Sequence, residues 1–288
     1  MHDTQTGPGT KLLSLLDAND LTVVPGVHDV LSALLVERCG FNAAYLGGYA
    51  LTACAFGLPD SGVITVAELI EHGRRIIDVL SIPLIVDIDD GGGTPLRITR
   101  NVRSAARAGA AAVQIEDVDL ARGKHFPGLP HHVMPLDRAV ENVRAAATAA
   151  RAESDMLIIA RTDLLFTGPL EEAIARVNAF ADVGADIVLI CMLPPTDIRR
   201  TASEVTAPLL NLYIRDEARP DQIAQARADG LRLVVPTSLT FRAQYAAVRE
   251  ALEELKETEH DPTLESWARV AADIDATVGI DNWAAMLR

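Results

Sequence analysis

Apolar residues fall along this chain in two alternating rhythms. Short, nearly continuous apolar runs at residues 21–25, 43–48, 84–89, 111–117, 157–163, 186–192, 208–214 and 231–236 predict eight buried strands. Between them apolar positions recur at helical spacing. Val66, Leu69, Ile70, Ile76, Ile77 and Leu80 mark one such face, and Leu170, Ile174, Val177 and Ala181 mark another. Thr65 and Glu68 have the spacing of a capping box, which starts a helix. Gly40, Gly109, Gly184 and Gly230 each stand between a helical pattern and the next strand, where a helix ends in the left-handed conformation. Strands apolar on both faces are covered on both faces, so the sheet is parallel. Eight of them with intervening helices predict an α/β fold, a closed (β/α)8 barrel of TIM type; a doubly wound sheet fits less well.

Two stretches break the rhythm. Residues 118–135 form a long segment rich in glycine and proline, with His125, His131 and His132, and a loop of that length in a barrel reads as a lid. From residue 257 the pattern is again irregular, until 267–287 returns to helical spacing. Residues 1–256 are therefore expected to form the barrel and 257–288 a helical tail whose Trp267, Val270, Ile274, Trp283 and Leu287 need a surface to cover them.

Chemistry gathers at the carboxyl ends of the strands. Leu84 to Gly93 runs through Asp87, Asp89 and Asp90 into three glycines; the next strand ends in Glu116 and Asp117; a third ends in Arg161 and Asp163. An α/β barrel keeps its active site at this end of its strands. Carboxylates from separate strands repel one another unless a cation joins them, and an all-oxygen set suits a hard divalent ion, Mg²⁺ most simply or Mn²⁺ in its place. Arg161 either pairs with these acids or presents its fork to an anion, and Asp163 either orients Arg161 or caps the turn that follows.

Composition narrows the function further. A net charge of −14 argues against nucleic acid as a partner, though not against a small anionic substrate that meets a local cation. Cys39, Cys54 and Cys191 have no metal-ligand spacing and read as reduced thiols. No apolar leader opens the chain and no run nears the roughly 20 residues that span a bilayer, so a cytoplasmic location away from membranes is expected.

Several short motifs then occur in a telling order: Pro25-Gly-Val-His-Asp-Val-Leu-Ser-Ala33, Tyr45-Leu-Gly-Gly48, Gly57-Leu-Pro-Asp60, Val86-Asp-Ile-Asp89, Ile115-Glu-Asp117 and Ala160-Arg-Thr-Asp163. In these the chain resembles the isocitrate lyase/phosphoenolpyruvate mutase superfamily. The resemblance implies an α/β barrel, often a homotetramer that swaps a C-terminal helix. It implies that Asp87 binds Mg²⁺ directly, while Asp60, Asp89 and Glu116 hold the metal's waters. Arg161 would grip a substrate carboxylate or oxyanion, and Tyr45 with the backbone at Gly47, Gly48 and Tyr49 would seat the head of a 2-oxo acid.

The departures from the family pattern shape the expected reaction. Lyases of the family carry a lid Cys as acid/base, and here Lys124 stands at that position, followed by His125. The glycine–aromatic–glycine after the Asp pair is Gly91-Gly92-Gly93, and a strand Glu of many lyases is Cys191. Lys124 and His125 are the candidate acid/base groups, although a lid lysine more often carries a solvated charge. Cys191 reads as a small core residue, His28 as pocket or packing, His131 and His132 as loop surface, and Tyr213 and Arg215 as contacts to the far end of a substrate. Decarboxylation needs no base to begin, so the expected activity is Mg²⁺-dependent C–C cleavage or decarboxylation of a small 2-oxo or 2-hydroxy carboxylate, of oxaloacetate type. The rivals are C–P or oxalyl-hydrolase chemistry on the same scaffold, and a non-catalytic barrel that binds a metabolite.

Overall fold

The first predicted strand, at residues 21–25, is observed at Thr22–Val23, and a second short strand at Gly26–Val27 follows it past Pro25. The computed structural model describes residues 6–124, 129–212 and 221–287, so His125, Tyr213 and Arg215 lie outside the described residues. Its parallel strands are β1 (Thr22–Val23), β2 (Gly26–Val27), β3 (Ala44–Leu46), β4 (Leu84–Asp87), β5 (Ala112–Glu116), β6 (Leu157–Thr162), β7 (Ile187–Ile190), β8 (Leu209–Asn211) and β9 (Leu233–Val234). They pair in the order β1-β9-β8-β7-β6-β5-β4-β3-β2. Both ends of that order belong to one stretch of chain, so the sheet returns on itself as eight staves with the first broken at Pro25. Proline has no N–H to give to a ladder. On one side of the break Val24 N–H donates to the Val234 carbonyl at 2.9 Å; on the other, the Pro25 carbonyl accepts from Tyr45 N–H at 3.0 Å.

Side-chain parity sorts the sheet into two cores. Leu84, Val86, Val113, Ile115, Ile158, Ala160, Val188 and Ile190 face the surrounding helices. Ile85, Ala112, Leu157, Ile159, Ile187 and Leu189 point into the barrel with Val24, Ala43, Tyr45, Leu210, Leu233 and Val235. The inner core also contains Leu12 and Leu16, both buried, from a helix at Pro8–Ala18. This helix was not expected. Its Leu12–Leu16 spacing puts just one stripe inward, and the polar residues around it mask the period. It seals the barrel at the strand amino ends, where Asp155 accepts from Thr10 N–H at 2.7 Å.

The helices follow the sequence pattern closely. Val66–Ile77 opens on the Thr65–Glu68 capping box with both reciprocal bonds made. Gly40, Gly109, Gly184 and Gly230 all have positive φ. The strands are shorter than the apolar runs suggested, although flanking residues still bond across the sheet: Asp186 N–H donates to the Ile158 carbonyl at 2.9 Å, and the Pro208 carbonyl accepts from Val188 N–H at 3.0 Å. The barrel is followed by helices at Leu239–Thr258, Trp267–Thr277 and Ile280–Ala285. In the single chain Trp267, Val270, Ile274, Trp283 and Leu287 remain exposed. Arg38 anchors this extension by donating to Asp273 Oδ1 at 2.6 Å. Among the described residues no helix is long and apolar enough to cross a membrane.

Candidate active site

The inward parity of the strands delivers polar side chains as soon as the apolar filling ends. Inward Ile85 is succeeded by Asp87 at the end of β4 and, just past it, by Asp89; inward Ala112 along β5 by Gln114 and Glu116; inward Ile159 by Arg161 on β6 and, past its end, by Asp163; inward Leu189 by Cys191, just past β7. All are buried. Asp87, Asp89 and Glu116 meet, each offering an oxygen, with those oxygens within 4.8 Å of one another. Asp60 joins them from the loop after Gly57: a Cβ placed on Gly48 would lie 3.6 Å from Asp60 Oδ1, 3.7 Å from Asp89 Oδ1 and 3.9 Å from Asp87 Oδ2. Gly48 thus leaves open the space that the carboxylates face.

The neighbouring acids Asp90 and Asp117 have the other parity and do structural work. Asp90 Oδ1 accepts from Gly92 N–H at 2.8 Å, within a loop whose Gly91, Gly92 and Gly93 all have positive φ. Asp117 accepts from the Thr162 hydroxyl at 2.6 Å, from Asp163 N–H at 2.9 Å and from Arg176 at 3.2 Å, bracing β5 against β6.

Arg161 is held on three sides. Its Nε and Nη2 donate to the two oxygens of Asp163 at 2.5 and 2.8 Å, Nη2 also reaches Cys191 Sγ at 3.4 Å, and Nη1 lies 3.0 Å from Glu116 Oε2. Asp163 therefore orients Arg161, and no side-chain bond from it caps the turn at Leu164–Phe166. Burial would raise the Asp163 carboxyl, but Arg161 overrides it and holds the acid well below the usual range. Burial pushes the Cys191 thiol up to about 12, so it stays protonated and serves as packing. Tyr45 sits beneath the acids, with its hydroxyl 2.9 Å from Gln114 Oε1 and 3.2 Å from Asp87 Oδ2. One phenolic proton serves one acceptor. Turning the Gln114 amide over, so that its unpartnered nitrogen donates to the phenol, frees that proton for Asp87. Burial and then the Asp87 charge keep the phenol protonated by raising it well above 10.

Lys124 departs most from expectation. Of its two readings, acid/base group or solvated charge, the solvated one fails: its side chain is buried, with the residue 1% exposed. Nζ donates to Asp89 Oδ1 at 2.6 Å and lies 3.0 Å from Glu116 Oε1 and 3.7 Å from Asp60 Oδ1. Burial alone would strip its proton, but Glu116, Asp89, Asp60 and Asp87 outweigh burial and hold it charged. The base of the lid is pinned by an antiparallel bridge between Val118 and Val133, with Asp119 N–H donating to the His132 carbonyl at 2.9 Å. His131 is likewise not loop surface: its ring stacks on Phe166 at 4.6 Å and Nε2 stands 3.5 Å from Asp163 Oδ2. His28 is a packing residue, bridging to Thr240 at 3.1 Å and to Gln244. The Tyr49 ring is more than half exposed and meets Phe241 edge-on at 5.6 Å.

The donor set fits a hard divalent ion. Its ligand atoms are all oxygen, Gly48 keeps the approach clear, and both Glu116 oxygens are buried without a well-aligned hydrogen bond despite their two cationic neighbours. Burial drives Glu116 up to about 8, against the pull of Arg161 and Lys124. Below that pH the folded protein holds a proton that an ion must displace. Mg²⁺ affinity should therefore rise with pH towards 8, by about tenfold per unit where one proton is released per ion. Calorimetric titration between pH 6 and 9 reads this, and an affinity that stays flat across the range would contradict it.

The sequence profile of phosphoenolpyruvate phosphomutase matches residues 12–256, most of the chain and all of the site. The chain belongs to this family. As a phosphoenolpyruvate phosphomutase family member it is 36% identical over 253 residues to a 2-methylisocitrate lyase of Aeropyrum pernix, a match covering 87% of this chain and 80% of the relative. It is 38% identical over 187 residues to an oxaloacetate decarboxylase of Paraburkholderia xenovorans, covering 64% and 62%. Its fold superposes with a TM-score of 0.88 on an oxaloacetate acetylhydrolase solved with the inhibitor 3,3-difluorooxalacetate, at 29% identity and covering 98% of this chain and 96% of the other. In this family member Gln114 and His131 are the site neighbours that motif reading passed over. Gln114 was legible through parity alone, as the one polar residue between inward Ala112 and Glu116.

Proposed function

We propose that this protein is a Mg²⁺-dependent carbon–carbon lyase of decarboxylase type, acting on a small 2-oxo carboxylate such as oxaloacetate. The observation that carries the reading is the convergence of Asp87, Asp89 and Glu116 beside the buried guanidinium of Arg161. A divalent ion held by those acids would supply positive charge beside the oxygen of a 2-oxo acid that takes up the electrons of a breaking C–C bond.

The chain's own residues supply the rest. Three of the five Arg161 N–H donors have hydrogen-bond partners among the described residues, which fixes the fork; Nη1, 3.0 Å from Glu116 Oε2 without a well-aligned bond, is left to meet a substrate oxygen. A donor fixed in advance stabilises developing charge without reorganising. Tyr45 orients Asp87 from below, and Gly47 and Gly48 open a short helix whose first N–H groups have no partner within the helix. Lys124, held charged, cannot act as a base near neutral pH. C–C cleavage that releases CO2 needs no base to begin, so the replacement of the lid thiol by Lys124 favours decarboxylation over a lyase reaction that must move a proton at the outset.

Two relatives named for oxaloacetate support this substrate class. The close superposition on the acetylhydrolase keeps hydrolytic cleavage of the same substrate as a second reading. Oxalate, a planar dianion with the outline of pyruvate enolate, tests the shared feature. Thermal unfolding should shift upward further with oxalate and Mg²⁺ together than with Mg²⁺ alone, and hardly at all with oxalate alone. An equal shift from oxalate without Mg²⁺ would remove the metal from the reading.

A further inference from the structure

Lys124 is a cation delivered into an acidic cluster by the chain itself. Its ammonium carries three hydrogens and accepts none. The carboxylates of Asp89, Glu116 and Asp60 lie around it at 2.6, 3.0 and 3.7 Å, and two of those acids belong to the candidate metal cluster. The side chain enters from Gly123, which has φ 89° and ψ 151°. That conformation is open essentially to glycine alone, so the turn after Leu120–Arg122 is built to aim the next residue inward. A divalent ion and an ammonium that both draw on the carboxylates of Asp89 and Glu116 repel each other at close range, so each weakens the other's hold.

We propose that Lys124 is a tethered counter-ion that competes with the divalent cation for Asp89 and Glu116, so that metal loading and withdrawal of the Leu120–Lys124 turn are one coupled event. The proposal rests on the reading of Asp87, Asp89 and Glu116 as the metal site. With the ion absent, the lysine neutralises acids that would otherwise repel. With the ion bound, the ammonium is repelled, which loosens the turn. Coupling of this kind is reciprocal: whatever holds the lysine in place weakens the ion by the same factor.

Mn²⁺ serves as the probe, counted by the loss of its free electron paramagnetic resonance signal on titration into the full-length protein. Lys124→Met should bind Mn²⁺ at least tenfold more tightly than the natural sequence. Gly123→Ala, which denies the turn its conformation while keeping the lysine, should tighten binding in the same direction and covers the case in which Lys124→Met does not fold. In the natural protein Mn²⁺ should speed amide hydrogen exchange at Leu120–Lys124. Unchanged or weaker Mn²⁺ binding in both variants would overturn the proposal. Asp87→Ala separates this from the underlying reading: if it abolishes binding while the lid variants change nothing, only the counter-ion role fails, whereas if it binds Mn²⁺ as well as the natural protein, the metal site fails and the counter-ion role with it.

Discussion

Asp87→Ala should reduce turnover by at least about 1,000-fold, the scale expected when charge stabilisation of several kcal/mol is withdrawn from a reacting oxygen. Asp87 is buried, has the inward parity of β4, accepts from Tyr45 and from Asp89 N–H at 3.1 Å, and has three further carboxylates nearby. Its removal relieves like-charge repulsion, which offsets the lost hydrogen bonds, so the fold should survive. Burial also raises this carboxyl from its ordinary value, a sign that the site holds the charge at a cost to the apo protein. Steady-state rates together with a melting curve check the prediction. Turnover within tenfold of the natural protein would show that Asp87 takes no part in the chemistry.

Arg161→Met should lower kcat/KM by about 100- to 1,000-fold, the range for losing one fixed donor to a developing oxyanion. It should also cost about 3–5 kcal/mol of stability, because Asp163 and Glu116 would be left buried without their shared cation. Arg161→Lys should recover part of the stability and little of the rate, since an ammonium cannot span both Asp163 oxygens and reach Glu116. The split between melting temperature and kcat/KM in the two variants is the measurement. A lysine variant with full activity would mean that charge alone, without the fork, serves at this position.

Much of this was legible from pattern. Continuous apolar strands ending in acids named the barrel end that carries the chemistry, and the two-residue period picks Asp87, Asp89, Glu116 and Arg161 from Asp90 and Asp117 without any structure. Barrel closure was legible from eight buried strands with intervening helices, but the break of the first stave at Pro25 was not. The helix Pro8–Ala18 was hidden by its polar faces. The burial of Lys124 was not legible: a charged residue in a glycine-rich loop defaults to solvent, and only the three-dimensional meeting of Asp60, Asp89 and Glu116 makes burial favourable. His131 was misjudged for the same reason, through Asp163 and Phe166, which are distant in sequence.

The central claim is metal-dependent decarboxylation at these acids, and product analysis with oxaloacetate tests it most directly. Purified protein with Mg²⁺ should convert oxaloacetate to pyruvate and CO2 well above the rate of Mg²⁺ alone, lose that activity on chelation, regain it with Mn²⁺ and lack it as Asp87→Ala. Under the same conditions methylisocitrate should remain uncleaved. Chelator-resistant turnover, release of oxalate and acetate in place of pyruvate, or efficient cleavage of methylisocitrate would contradict the account.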